Sequence, residues 1–131
     1  MIRTKRKKKT KLKICDDLWK QLIVQKANHK CEHCGKAEGV QAHHIIPRTN
    51  YSLRHDTENG VALCIRHHLY WAHKDALDFI NWISGKRNLE YLESRRYNQS
   101  KNDYSLIEIY LKQEIDKLKP GTNRSDCKPN S

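Results

Sequence analysis

Long apolar runs are missing from this chain: no stretch approaches the length of a membrane span. The N-terminal stretch MIRTKRKKKTKLK has no acidic residue and too few apolar ones for a secretory signal. These two absences predict a protein of the reducing cytosol with no membrane partner. Hydrophobic residues fill only 37% of the 131 positions, against 31% charged, so one domain with a modest core is expected. A core this thin calls for a disulfide or a structural metal. No internal repeat is present.

What the chain has in excess is positive charge, a net +11. Eight of its 26 lysines and arginines fall in residues 1–13, which leaves 18 basic against 15 acidic residues over 14–131. The charge is therefore mostly an arm, residues 1–13, expected to be disordered and solvated. A flexible polycation also binds nucleic acid by releasing its counterions, and Lys7, Lys8 and Lys9 are candidate phosphate contacts.

Beyond the arm a core over residues 14–74 is expected. CDDLWKQLIVQKANHK places Cys15, Leu18, Trp19, Leu22 and Ile23 at helical spacing, with Asp16 and Asp17 near the helix start. Gly35 is turn-like behind paired cysteines, and VQAHHII reads as a short strand closed by Pro47. A polar loop then runs to the turn signal Asn59-Gly60, VALC reads as a second strand, and IRHHLYWAH as helical. Residues 75–118 read as a helical extension. In it Ala76, Phe79, Ile80 and Ile83 share a face that stops at Gly85, and RNLEYLESRRY is a weaker helix. SLIEIYLKQEIDKLK is a strong one, with a Ser105–Glu108 capping box and a stripe of Ile107, Leu111, Ile115 and Leu118. Residues 119–131, behind the Pro120-Gly121 break, read as a disordered tail.

The cysteines come next. Cys31 and Cys34 form C-x2-C, and Cys64 and His67 repeat the spacing after a gap of 29 residues. A Cys3His set suits tetrahedral zinc in a closed structural site. His33 is an alternative fourth ligand; His67 is preferred because its distance from Cys64 mirrors the first pair. Buried thiols paired by chance are the plainer explanation, and the thin core favours metal over it. Cys15 is read as a core residue and Cys127 as an inert thiol in the tail.

His43, His44, Asn59 and His68 remain, in AHHIIPR, ENGVALC and CIRHHLYWAH, with 14 residues between His44 and Asn59 and eight between Asn59 and His68. Set between two zinc half-sites, this spacing resembles the HNH endonuclease family over about Lys30 to His73, roughly a third of the chain. His67 is a departure, since many members carry a fourth cysteine there. The resemblance implies an α+β fold: a zinc-stabilised ββα-metal, treble-clef-like core, with an N-terminal helix and a C-terminal helical extension.

The resemblance also implies roles. His43 and His68 would ligate a catalytic divalent cation (Mg, Mn or Ni), beside the structural Zn. His44 would be the general base, since imidazole titrates near neutrality, and Asn59 would orient the loop and His44. His44, Asn59 and His68 make up the implied catalytic set. Hydrolysis of a phosphodiester needs an activated water and neutralisation of developing charge, and His68 sits in a helical first turn that favours anions. Adjacent strand residues point to opposite faces, a conflict for His43 and His44 that the family resolves at a strand end. His73 follows His68 by five residues, roughly 140° around an α-helix, and is read as a neighbour or surface residue rather than a ligand. Arg48, Arg54 and Arg66 are candidate phosphate contacts, Arg48 foremost, with solvated surface charge as the plainer alternative for each. Tyr70, Trp71 and Trp82 are read as core.

The expected function is a metal-dependent DNA endonuclease that nicks or cuts duplex or branched DNA, leaves 5′-phosphate and 3′-hydroxyl ends, and needs no small-molecule cofactor. RHDTENGVALC and AHKDALDFINWISGKR are similar to phage-encoded members, which implies a bacterial host cytosol. A zinc-stabilised DNA-binding module is the alternative from another class, though pure binding needs none of His43, His44 and His68. An RNA-directed nuclease on the same fold is a third reading.

Overall fold

A computed structural model describes residues 9–98 and 101–119. Lys7, Lys8, Cys127 and all of the expected tail except Lys119 lie outside the described residues. Helix α1 spans Lys11–Lys26. Strand β1 (Gln41–His44) pairs antiparallel with β2 (Gly60–Leu63), and a single 3₁₀ turn, Thr57–Asn59, leads into β2. A π-helix, His67–Ala72, follows β2. Helices α2 (Ala76–Ile83), α3 (Leu89–Arg95) and α4 (Tyr104–Lys117) complete the order. The fold is the expected α+β type, and no helix of the described residues is long and apolar enough to cross a membrane.

Helix α1 starts three residues inside the segment read as a basic arm. Thr10 is the reason: its hydroxyl accepts the Lys13 N–H at 3.2 Å and caps the first turn. Lys9, read as a phosphate contact, is paired with Asp17 at 3.0 Å.

Strand β2 is buried throughout and divides the core by its alternation. Ala62 packs with Cys15, Trp19, Leu22 and Ile23 of α1 and with Leu111 and Ile115 of α4. Val61 and Leu63 pack with Ala72, Phe79 and Ile83. Gly60, read as half of a turn signal, is instead an extended residue at the start of β2, with φ −133°. Its missing side chain is what α1 needs, because a Cβ there would stand 2.5 Å from Ile23 and 2.7 Å from the Trp19 ring.

Three further expectations are corrected. Helix α4 is capped not by a Ser105–Glu108 box but by Asp103, whose carboxylate accepts the N–H groups of Ser105 and Leu106 at 3.0 and 3.3 Å. Glu108 is taken by Lys11 and Lys112, each at 2.7 Å. Leu118 falls just past the helix end and is exposed, whereas Leu111 and Ile115 are buried. Tyr70, read as core, is 66% exposed, because the residues of the π-helix that meet the core are Trp71 and Ala72.

Gly60→Ala should therefore overpack the seam between α1 and β2 and cost about 1–3 kcal/mol. Urea unfolding of the purified protein checks this, and an unchanged midpoint would contradict the packing described.

Candidate functional site

Two groups of side chains converge on the hairpin and the π-helix. In the first, one donor atom each from Cys31, Cys34, Cys64 and His67 lies within 4.8 Å of the others. The loop that carries the first pair is bound to the sheet. Glu32 N–H donates to the Ala62 carbonyl, and the Glu32 carboxylate accepts the Ala62 N–H, both at 2.8 Å. Arg87 holds the same carboxylate at 3.0 Å. Gly35 turns the chain back in the left-handed region, φ +79°, so that its N–H reaches the Cys31 carbonyl at 2.8 Å. The fourth member is the Nδ1 atom of His67, 3.2 Å from Cys64 Sγ and 3.8 Å from Cys31 Sγ. His33 packs its ring over His67 and Trp71, both at 4.3 Å between centroids. Burial pushes the Cys31 thiol up, but hydrogen bonds from the backbone of Cys64, Cys34 and His33 outweigh it and favour the thiolate. Three soft sulfurs and one imidazole nitrogen could hold a zinc ion.

In the second group the ring nitrogens of His43, His68 and His73 lie within 4.8 Å of one another, with ring centroids 4.9 to 5.1 Å apart. His73 thus stands beside His68 and not around the helix from it. The α-helical angle does not apply here, because the segment is wound as a π-helix, whose wider i→i+5 turn brings residues five apart nearer to one face. Burial, and then the neighbouring His68 and His73, push the His43 imidazole down to about 3. His68 is lowered as well, by burial first and by His73 second. Three convergent imidazole nitrogens are a donor set that fits a divalent cation. His68 is oriented by Gln41, whose Oε1 lies 3.0 Å from Nδ1; that hydrogen bond leaves Nε2 free to coordinate.

His44 leaves β1 on the opposite side and stacks on Trp19, with ring centroids 3.9 Å apart and planes 9° from parallel. Its Nε2 is 3.0 Å from the Arg54 carbonyl. A carbonyl only accepts, so Nε2 carries the hydrogen and Nδ1 keeps a lone pair. Burial lowers the imidazole's pKa, opposed by this bond to Arg54. The strand's alternation is obeyed, and both histidines nevertheless line one cleft of 1020 Å³ because β1 ends at His44.

Asn59 is fully buried and does not line that cleft. Its side chain accepts the Ile46 N–H at 2.7 Å and donates to the carbonyls of Ile46 and Leu53 at 2.9 and 3.1 Å. It is a clamp on the loop after β1. The arginines separate. Arg48 lines the cleft. Arg66 is exposed beside the cysteine cluster, away from the cleft lining. Arg54 is no free phosphate ligand: Asp16 of α1 grips its guanidinium at 2.9 and 2.7 Å, a bidentate pair only 11% and 15% exposed. Asp16 also takes His55 Nε2 at 2.7 Å.

Trp19, Asp16, Gln41 and His73 thus belong to the site without having been singled out for it. None carries a local signal, since each partner is distant in sequence or depends on the π winding.

The segment from Cys31 to Tyr70 matches the model of a known family, described as HNH endonuclease, over residues 31–70. No curated protein and no solved structure matches the chain.

Cys31→Ser should lower zinc content below one equivalent and shift thermal unfolding downward, because metal binding and folding are coupled in so small a core. Elemental analysis with calorimetry checks both, and a zinc-free parent of undiminished stability would contradict it. Burial raises the Asp16 carboxyl, but Arg54 and His55 together hold it below its ordinary value. A depressed folded pKa stabilises above the unfolded value near 3.8 and loses that effect as pH falls through the folded one. Asp16→Asn should therefore be less stable than the parent at pH 7 and show a shallower loss of stability below pH 4, measured by urea unfolding across pH.

Proposed function

We propose that this chain, whose residues 31–70 match the HNH endonuclease family model, hydrolyses phosphodiester bonds of DNA in its histidine-lined cleft with the help of a divalent cation. One observation carries the reading: the ring nitrogens of three histidines converge beside a fourth whose lone pair is free, in a cleft whose lining contains no carboxylate. Such a cleft favours an anionic substrate and repels none of its charge.

His43, His68 and His73 would hold the cation, Mg, Mn or Ni, and when bound it neutralises the charge that develops on the scissile phosphate. The zinc of the cysteine cluster is structural in this reading. His44 takes the proton of the attacking water at Nδ1, the atom that the Arg54 carbonyl leaves uncommitted. Trp19 fixes the ring plane, so the lone pair keeps one direction. Asn59 acts on His44 through the loop it clamps and touches no substrate. Arg48 binds a phosphate at the cleft edge. The expected products carry 5′-phosphate and 3′-hydroxyl ends.

The test is incubation of supercoiled plasmid with a panel of divalent cations. His44→Ala should keep its fold and lose roughly 10²–10⁴-fold in rate. His73→Ala should lose activity by weaker cation binding and regain part of it with excess Mn²⁺. A His44→Ala protein that cuts at the parent's rate, or a parent inert with every cation, would contradict the reading.

A further inference from the structure

Part of the cleft lining is built by α1 and the turn behind it, which lie outside the matched segment 31–70. Helix α1 buries Cys15, Trp19, Leu22 and Ile23 against the hairpin. The neighbouring stripe, Lys20, Gln21, Val24 and Gln25, is left facing the cleft at i, i+1, i+4 and i+5. The helix then ends on two successive non-glycine residues in the left-handed region, Asn28 at φ 55° and His29 at φ 60°. His29 N–H reaches back to the Val24 carbonyl at 3.0 Å, and the histidine itself joins the cleft lining. Left-handed backbone at two such residues in a row is unfavourable and persists where the surroundings require it.

Two charges of the cleft lining are unspent, Lys20 on α1 and Arg48 in the loop after β1. Lys9, Lys11 and Lys13 on the first turns of the chain are paired with Asp17 or Glu108, and Arg54 is held by Asp16. Lys20 and Arg48, by contrast, have no ion pair, hydrogen bond or ring partner for their side chains among the described residues. Both are exposed, and no carboxylate lines the cleft to neutralise them.

We infer that the α1 wall, together with Arg48 of the loop after β1, is the track for the phosphodiester backbone of the substrate strand, with Lys20 and Arg48 as its phosphate contacts and Gln21, Gln25 and His29 as further hydrogen-bonding groups. The inference rests on the nuclease reading of the same cleft and adds the residues that seat the strand. Ammonium and guanidinium groups bind phosphate oxygens without reading base identity, so the wall takes any sequence and leaves the position of the cut to the histidines.

Binding of labelled duplex DNA and of labelled RNA is measured by fluorescence anisotropy across a salt series, in a His44→Ala background that leaves the probe intact. Lys20→Gln and Arg48→Gln should each weaken binding about five- to tenfold and reduce the slope of log K against log salt by about one. Lys26→Gln is the control: it removes the same charge from the same helix but lines a different cavity with Glu32 and Glu58, and it should change neither quantity. In the cleaving parent, Lys20→Gln should raise KM and leave kcat within about twofold. Losses on both probes, or on one, support the track and identify the backbone it accepts. Equal effects of Lys20→Gln and Lys26→Gln, or an unchanged slope for Lys20→Gln, overturn it while leaving the nuclease reading intact. A parent that neither binds nor cleaves either nucleic acid overturns both.

Discussion

The π winding of His67–Ala72 is the constraint on which the two candidate ion sites depend. The first residue of that helix, His67, completes the cysteine cluster, and the second, His68, enters the histidine trio. Consecutive residues therefore serve different sites, so any ion held by the cluster would set the position of the first turn and with it the aim of His68. The wider winding then brings His73 to the same face as His68. An α-helix through the same residues would turn His73 aside by more than a third of a revolution. A π-helix is rarely favoured by itself, and here it is held at one end by the cluster and at the other by Ala72 in the core and by the Trp71–Asp78 hydrogen bond of 2.7 Å.

Helix α1 does for His44 what the cluster does for His68. Its Trp19 supplies the stacking plane, and its Asp16 holds Arg54, whose carbonyl directs the His44 Nε2–H. The close approach is possible because Gly60, paired with His44 across the hairpin, has no side chain. Asn59, next to Gly60, closes the loop from the inside. Orientation of one imidazole thus draws on α1, both strands and the connecting loop. The matched segment contains the histidine but not the helix that orients it.

Much of this was legible in the sequence. The repeated x2 spacing of Cys31, Cys34, Cys64 and His67 is a local pattern with a geometric meaning, and the four donors do meet. The strands, the buried face of α1 and the order of elements followed from periodicity. What was not legible depends on contacts between distant segments. Arg54 looked like a free cation because its partner Asp16 lies 38 residues away. His73 falls off the face of His68 at a period of 3.6, and the segment is wound as a π-helix instead. Two acceptable caps, Asp103 and Ser105, sit two residues apart at the start of α4, and only the demand of Lys11 and Lys112 for Glu108 distinguishes them.

The central claim is that one short π-helix contributes to two separate candidate ion sites. Anomalous diffraction from crystals soaked in Mn²⁺, collected at the manganese and zinc edges, tests it most directly. The account predicts a zinc signal within the Cys31, Cys34, Cys64 and His67 cluster and a separate manganese signal bonded to His43, His68 and His73. A manganese signal bonded to His43 and His68 alone, with His73 turned into solvent, or one located only at the cysteine cluster, would contradict it.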